Sequence, residues 1–62
     1  MINERDVLER YARQNGLTEH QIRDVLEDRF DQGIPFGTCI SVINRYAEYT
    51  AISKLKVFDE NQ

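Results

Sequence analysis

Two breaks decide most of what this chain can become. Asn15-Gly16 and the run Gly33-Ile34-Pro35-Phe36-Gly37 carry turn chemistry. Around them, apolar residues recur at spacings of three and four. A chain of 62 residues divided in this way leaves three segments, each of helical length. The pattern predicts an all-α fold over residues 1–62: one small three-helix domain with a long third helix, its last residues either helical or extended.

The first segment reads as a helix from about Glu4 to Gln14. Asn3 is its N-cap, because its side chain can accept from a free backbone N–H. Ile2 and Val7 occupy the positions of a hydrophobic staple. Val7, Leu8, Tyr11 and Ala12 form the apolar stripe. Asp6/Arg10 and Glu9/Arg13 are acid-before-base pairs at i,i+4. Gly16 supplies the left-handed stop, and Leu17 is placed to pack back on Ala12.

Thr18-Glu19-His20-Gln21 fits a capping box at the start of the second helix. Leu17 and Ile22 form a second staple, and Glu19/Arg23 is a further i,i+4 pair. Ile22, Val25, Leu26 and Phe30 then recur at helical spacing. This segment is expected to run until Gly33 stops it and Pro35 forbids continuation.

The third helix is expected from about Thr38, as cap, through Tyr49. Cys39, Ile40, Ile43, Tyr46 and Ala47 make one buried stripe, preceded by Phe36. Val42, Tyr49 and Ile52 lie off it, so the helix is apolar around more than half its circumference. Such a helix is either central in a core or shared with a partner. Beyond Tyr49 the spacing Ile52, Leu55, Phe58 favours helix to about Lys56. The run Lys54–Phe58 also fits a short strand. Residues 59–62 read as a frayed polar tail.

Size sharpens the point about partners. A chain this short buries only about 60% of the surface its unfolded form exposes. A single cysteine, Cys39, allows no internal disulfide, and no Cys/His cluster suits zinc. A lone cysteine without a disulfide framework fits a reducing, cytoplasmic setting. The N-terminus does not read as a signal peptide, and no run of 18 apolar residues is present to span a membrane.

The net charge is −3. Residues 1–33 carry five arginines and eight acids, and the remainder balance at three and three. Neither half is basic, which argues against nucleic acid as a partner. Asp24, Glu27, Asp28 and Asp31 form an acidic cluster on the second helix. Their i,i+4 spacing mildly destabilises a helix, so a docking role for a basic protein is weighed beside that of a solvated face.

Catalytic signals are weak. His20 falls in a first turn and reads as a surface residue. Cys39 near a helix start invites comparison with a reactive thiol, yet it sits on the apolar stripe and reads as a small buried hydrophobe. Gly37 and Thr38 read as a helix start rather than a phosphate site, for the loop lacks the lysine and glycine spacing of a nucleotide-binding loop. No catalytic, cofactor or metal residues are assigned, and the chain is not read as an enzyme.

The function expected is that of a small protein-binding regulator, an inhibitor or adaptor of the size common in phages and mobile elements. Its contact residues would be Val42, Tyr49, Ile52, Leu55 and Phe58, with the acidic Asp24, Glu27, Asp28 and Asp31. Two alternatives stand beside it. One is a helix-turn-helix reader with Ser41, Asn44, Arg45 and Glu48 on its reading helix. The other is a structural homo-oligomer with the third helix as its seam.

Overall fold

The computed structural model describes residues 2–60 along the backbone and residues 2–54 with their side chains. Three helices account for most of it: α1 (Glu4–Gln14), α2 (Glu19–Leu26) and α3 (Phe36–Glu60), with a 3₁₀ turn at Phe30–Gln32. No strand occurs among the described residues, so the run Lys54–Phe58 is helical rather than extended. The polar tail expected at residues 59–62 lies outside the described side chains, and residues 61–62 lie outside the described backbone.

The local signals around α1 act as the sequence predicts. The Asn3 side chain accepts from Arg5 N–H at 2.8 Å. Gly16 has φ +81°, its N–H donates to the Arg13 carbonyl, and Leu17 N–H donates to the Ala12 carbonyl. This pair of bonds is a Schellman ending, and it buries Leu17 beside Ala12. Ile2, in contrast, is exposed rather than stapled down. The capping box of α2 is complete, with Thr18 Oγ accepting from Gln21 N–H and Gln21 Oε1 accepting from Thr18 N–H.

α2 ends at Leu26, well before Gly33. Two effects combine there. Asp24, Glu27 and Asp28 crowd like charges together, and the two aspartates are poor helix formers. Arg29 leaves helical geometry and sets its guanidinium against Asp24. The Gln32 side chain donates to the Glu27 carbonyl, satisfying one group freed by the early ending. Phe30 still packs against the core from the 3₁₀ turn, and Gly33, at φ +100°, closes that turn instead.

α3 starts at Phe36, so Thr38 lies inside its first turn and is not its cap. The Pro35 carbonyl takes the first helical bond, from Cys39 N–H. Proline explains the shift. Its ring keeps Ile34 out of helical geometry, while its own fixed φ suits a helix start.

Leu8, Ala12, Leu17, Ile22, Val25, Leu26, Cys39 and Ile43 form the buried core. Arg13 near the end of α1 pairs with Glu19 at the start of α2, and Arg5 pairs with Asp31 in the 3₁₀ turn. α1 and α2 therefore run antiparallel. Tyr11 on α1 donates to Asn44, and Tyr46 donates to Asp24 on α2. Both helices thus pack on the first half of α3. At about 1.5 Å per residue α3 is some 37 Å long, against about 16 Å for α1 and 12 Å for α2. Its second half extends past the bundle. The molecule measures 48 × 21 × 18 Å, with a radius of gyration of 13.3 Å. A compact chain of this length would have about 10.6 Å.

Candidate functional site

The outer face of α3 presents two of the three large exposed apolar side chains found among the described residues. Successive residues turn by about 100° around a helix. Ile52 therefore lies opposite Cys39, Ile43 and Thr50, which face the bundle. Tyr49 is 67% exposed and Ile52 is 54% exposed, among the largest exposed apolar side chains described. Arg45 and Glu48 flank them and are exposed as well. On the inner side, Ala47, Thr50 and Ser53 are half-buried. Gln21, Tyr49, Thr50, Ser53 and Lys54 line a shallow apolar groove of 370 Å³ where the start of α2 meets α3.

The predicted contact residues divide. Tyr49 and Ile52 share the exposed face. Val42 belongs to the same side of α3, but it is half-buried and packed on the core, beside Arg29 and Tyr46. Leu55 and Phe58 lie outside the described side chains.

The acidic residues also divide, because α2 ends early. Asp24 is 24% exposed at its side chain and is the acceptor of two bonds. Tyr46 Oη–H donates to its Oδ2 at 2.6 Å, and Arg29 Nε–H donates to the same oxygen at 3.1 Å. The tyrosine bond, helped by Arg29, holds the Asp24 carboxyl below its ordinary pKa against the opposing effect of burial. The same bond, with burial, raises the Tyr46 hydroxyl. Asp31 meets Arg5 through two parallel bonds of 3.1 and 3.0 Å, which lower its pKa. Glu27 and Asp28 remain exposed and form no ion pair among the described residues. With His20, Arg23, Asp24 and Tyr46 they line a cleft of 290 Å³.

Of the expected i,i+4 pairs, Glu9–Arg13 forms at 3.1 Å. Arg13 reaches Glu19 as well, a cross-helix contact that spacing within one helix does not reveal. Cys39 is fully buried on α3, and its thiol lies 3.7 Å from the Ile34 carbonyl. Burial raises its pKa, the opposite of what a nucleophilic thiolate needs. Among the described residues no group of three or more His, Cys, Asp or Glu is arranged to hold a metal, and no helix is long and apolar enough to cross a membrane.

Sequence reasoning missed the Asp24–Tyr46–Arg29 cluster. Its members are too far apart in the chain for periodicity to join them. The one available signal was Tyr46, placed on a buried stripe where its hydroxyl would need a partner.

Comparison with protein-family models, curated proteins and solved structures returned no match. The class this fold and surface define is that of a small all-α domain with a long third helix.

Proposed function

We propose that this chain is a protein-binding module, a small regulator of the inhibitor or adaptor kind, acting through the outer face of the extending half of α3. The observation that carries the reading is the exposure of Tyr49 and Ile52 opposite the core stripe. Aromatic and aliphatic side chains of this kind, ringed by polar residues such as Arg45 and Glu48, anchor protein interfaces. The pair His20 and Cys39 does not support an enzymatic reading, since His20 is exposed on α2 while Cys39 is sealed in the core. Glu27 and Asp28 supply a secondary acidic surface for a basic partner.

The test is capture from lysate of the source cell by the tagged chain, with and without nuclease. The wild type should retain a protein in near-equal amount regardless of nuclease. Tyr49→Glu and Ile52→Asp should lose it while keeping the same helical circular dichroism. If both variants capture normally, this face is not the binding surface.

Nucleic-acid binding has one observation in its favour. Arg29 and Arg45, with Thr38, Ser41, Val42 and Tyr46, line a cleft of 400 Å³ that no carboxylate lines. The neighbouring α2 and its following turn are acidic, and Asp24 already neutralises Arg29. This reading predicts salt-dependent DNA binding that weakens in Arg45→Ala.

A further inference from the structure

We propose that the cleft formed where Arg29 meets the first half of α3 binds a small organic phosphate monoester, held by Arg29 and Arg45. Neither Tyr49 nor Ile52 lines this cleft, and the proposal does not rest on the protein-binding reading.

Thr38, Ser41, Val42 and Arg45 stand at i, i+3, i+4 and i+7 along α3, so they share one face of it. Arg29 reaches that face from outside α3. It can do so because α2 ends at Leu26 and Arg29 leaves helical geometry, at φ −124° and ψ −68°. Together with Tyr46 these residues enclose 400 Å³. Small-molecule sites run from about 300 to 1,000 Å³, so the cleft has room for a small ligand.

The donors left unspent in the cleft define the ligand. Arg29 is tethered by one nitrogen: Nε–H donates to Asp24 Oδ2 at 3.1 Å, and its two terminal nitrogens donate to no group among the described residues. Arg45 is exposed and forms no ion pair among the described residues. The Thr38 side chain is exposed and is capped by no neighbour, whereas Ser41 Oγ–H donates to the Gly37 carbonyl and Tyr46 Oη–H to Asp24. Two guanidinium groups and one hydroxyl therefore remain for a ligand, and no carboxylate lines the cleft to compete for them.

Guanidinium forks recognise carboxylate and phosphate oxygens. A carboxylate offers two oxygens and one charge. A phosphate monoester offers three terminal oxygens and a charge of about −1.5 to −2 at pH 7, one oxygen for each donor group here. Val42 and the Tyr46 ring give the cleft an apolar wall, which suits the carbon part of an ester and adds nothing for a bare phosphate ion. Tyr46 also lines the neighbouring acidic cleft with Asp24, Glu27 and Asp28. Those carboxylates would repel the adjoining phosphates of a nucleic acid, so a single phosphate fits this site better than a chain of them.

Titration of the isotope-labelled full chain with phenyl phosphate at pH 7.5, followed by amide NMR shifts, tests the proposal. Saturable shifts are expected at Arg29 and along residues 38–45, with a dissociation constant of about 1 mM or below. Benzoate, which keeps the ring and one charge, should bind about tenfold more weakly, and inorganic phosphate should also bind more weakly. Arg45→Gln should weaken phenyl phosphate binding by about tenfold, the loss of one charge-assisted contact. Arg29→Lys keeps the charge but loses the fork, and should weaken binding by about fivefold. Arg45 is exposed and unpaired among the described residues, so Arg45→Gln should keep the helical circular dichroism and stands as the decisive variant if Arg29→Lys disturbs the fold. No saturable shift up to about 10 mM phenyl phosphate overturns the site. Unchanged binding in Arg45→Gln overturns its placement in this cleft. Benzoate bound as tightly as phenyl phosphate overturns the choice of a monoester. A duplex oligonucleotide without terminal phosphates that binds the same residues more tightly overturns the small ligand in favour of nucleic acid.

Discussion

Replacing Tyr46 by Phe removes one oxygen and little else, so it isolates the bond to Asp24. At 2.6 Å this is a short O–H···O⁻ contact, inside the range of charge-assisted bonds. Such bonds contribute about 1.5–3 kcal/mol. Asp24 keeps some access to water and retains Arg29, so the low end applies, about 1.5 kcal/mol at pH 7. For a domain this small the urea slope is about 1 kcal/mol per molar, which moves the midpoint down by about 1.5 M. The pH dependence identifies the cause. The folded-state pKa of Asp24 is depressed, so its contribution is present above the unfolded value and disappears as pH falls through the folded one. The gap between wild type and Tyr46→Phe should therefore narrow as pH falls past about 3.9, where free aspartate titrates, and close below the depressed folded value. The Tyr46 pKa is raised, so its contribution is full below the unfolded value and is lost as pH rises through the folded one. The gap should narrow again as pH rises past about 10, where free tyrosine ionises, and close above the raised folded value. Urea titrations of both proteins at a single concentration, at pH 2.5, 7 and 10.5, measure all three points. Equal midpoints at pH 7, or a deficit undiminished at pH 2.5, would refute the reasoning.

Two further outcomes test the core. Leu8 is fully buried, and Leu8→Ala should cost about 3 kcal/mol; a domain of this length has a total stability of only about 3–9 kcal/mol, so thermal circular dichroism should show its cooperative transition largely lost at 37 °C, and a variant within 1 kcal/mol of wild type would show that α1 does not sit in the core. Cys39 should react with a thiol reagent at least about a hundredfold more slowly in native buffer than in denaturant, because the group must first be opened to solvent; equal rates would place it at the surface.

What the sequence reveals and what it conceals follow from the range of the interactions. Asn3, Gly16 and the Thr18–Gln21 capping box act on neighbours within a few residues, so the start and end of α1 and the start of α2 are readable without a structure. The end of α2 is not. It depends on Arg29 turning back to an aspartate that Tyr46, 22 residues away, also holds. The Arg5–Asp31 pair spans 26 residues and is equally silent in the pattern. The candidate surface was legible where periodicity alone decides exposure, at Tyr49 and Ile52. It was not legible at Val42, which the assembled core covers in part, a tertiary contact that periodicity within one helix does not show.

A helix of 25 residues packed against partners of 11 and 8 poses its own physical question. Tertiary packing of one face supplies most helical stability in proteins, and short isolated helices are marginal in water. The bundle packs against the first half of α3, through the buried Cys39 and Ile43 and the bonds of Asn44 and Tyr46. In the second half of α3, Thr50 and Ile52 are β-branched residues that favour helix only weakly, while Ala51, Lys54, Leu55 and Lys56 favour it. This bundle does not account for a helix that continues to Glu60, and a short helical stretch is marginal on propensity alone. A partner on the outer stripe would add packing on the face that Tyr49 and Ile52 leave open. The same side chains that make α3 too apolar for a domain of this size would thus recruit the partner.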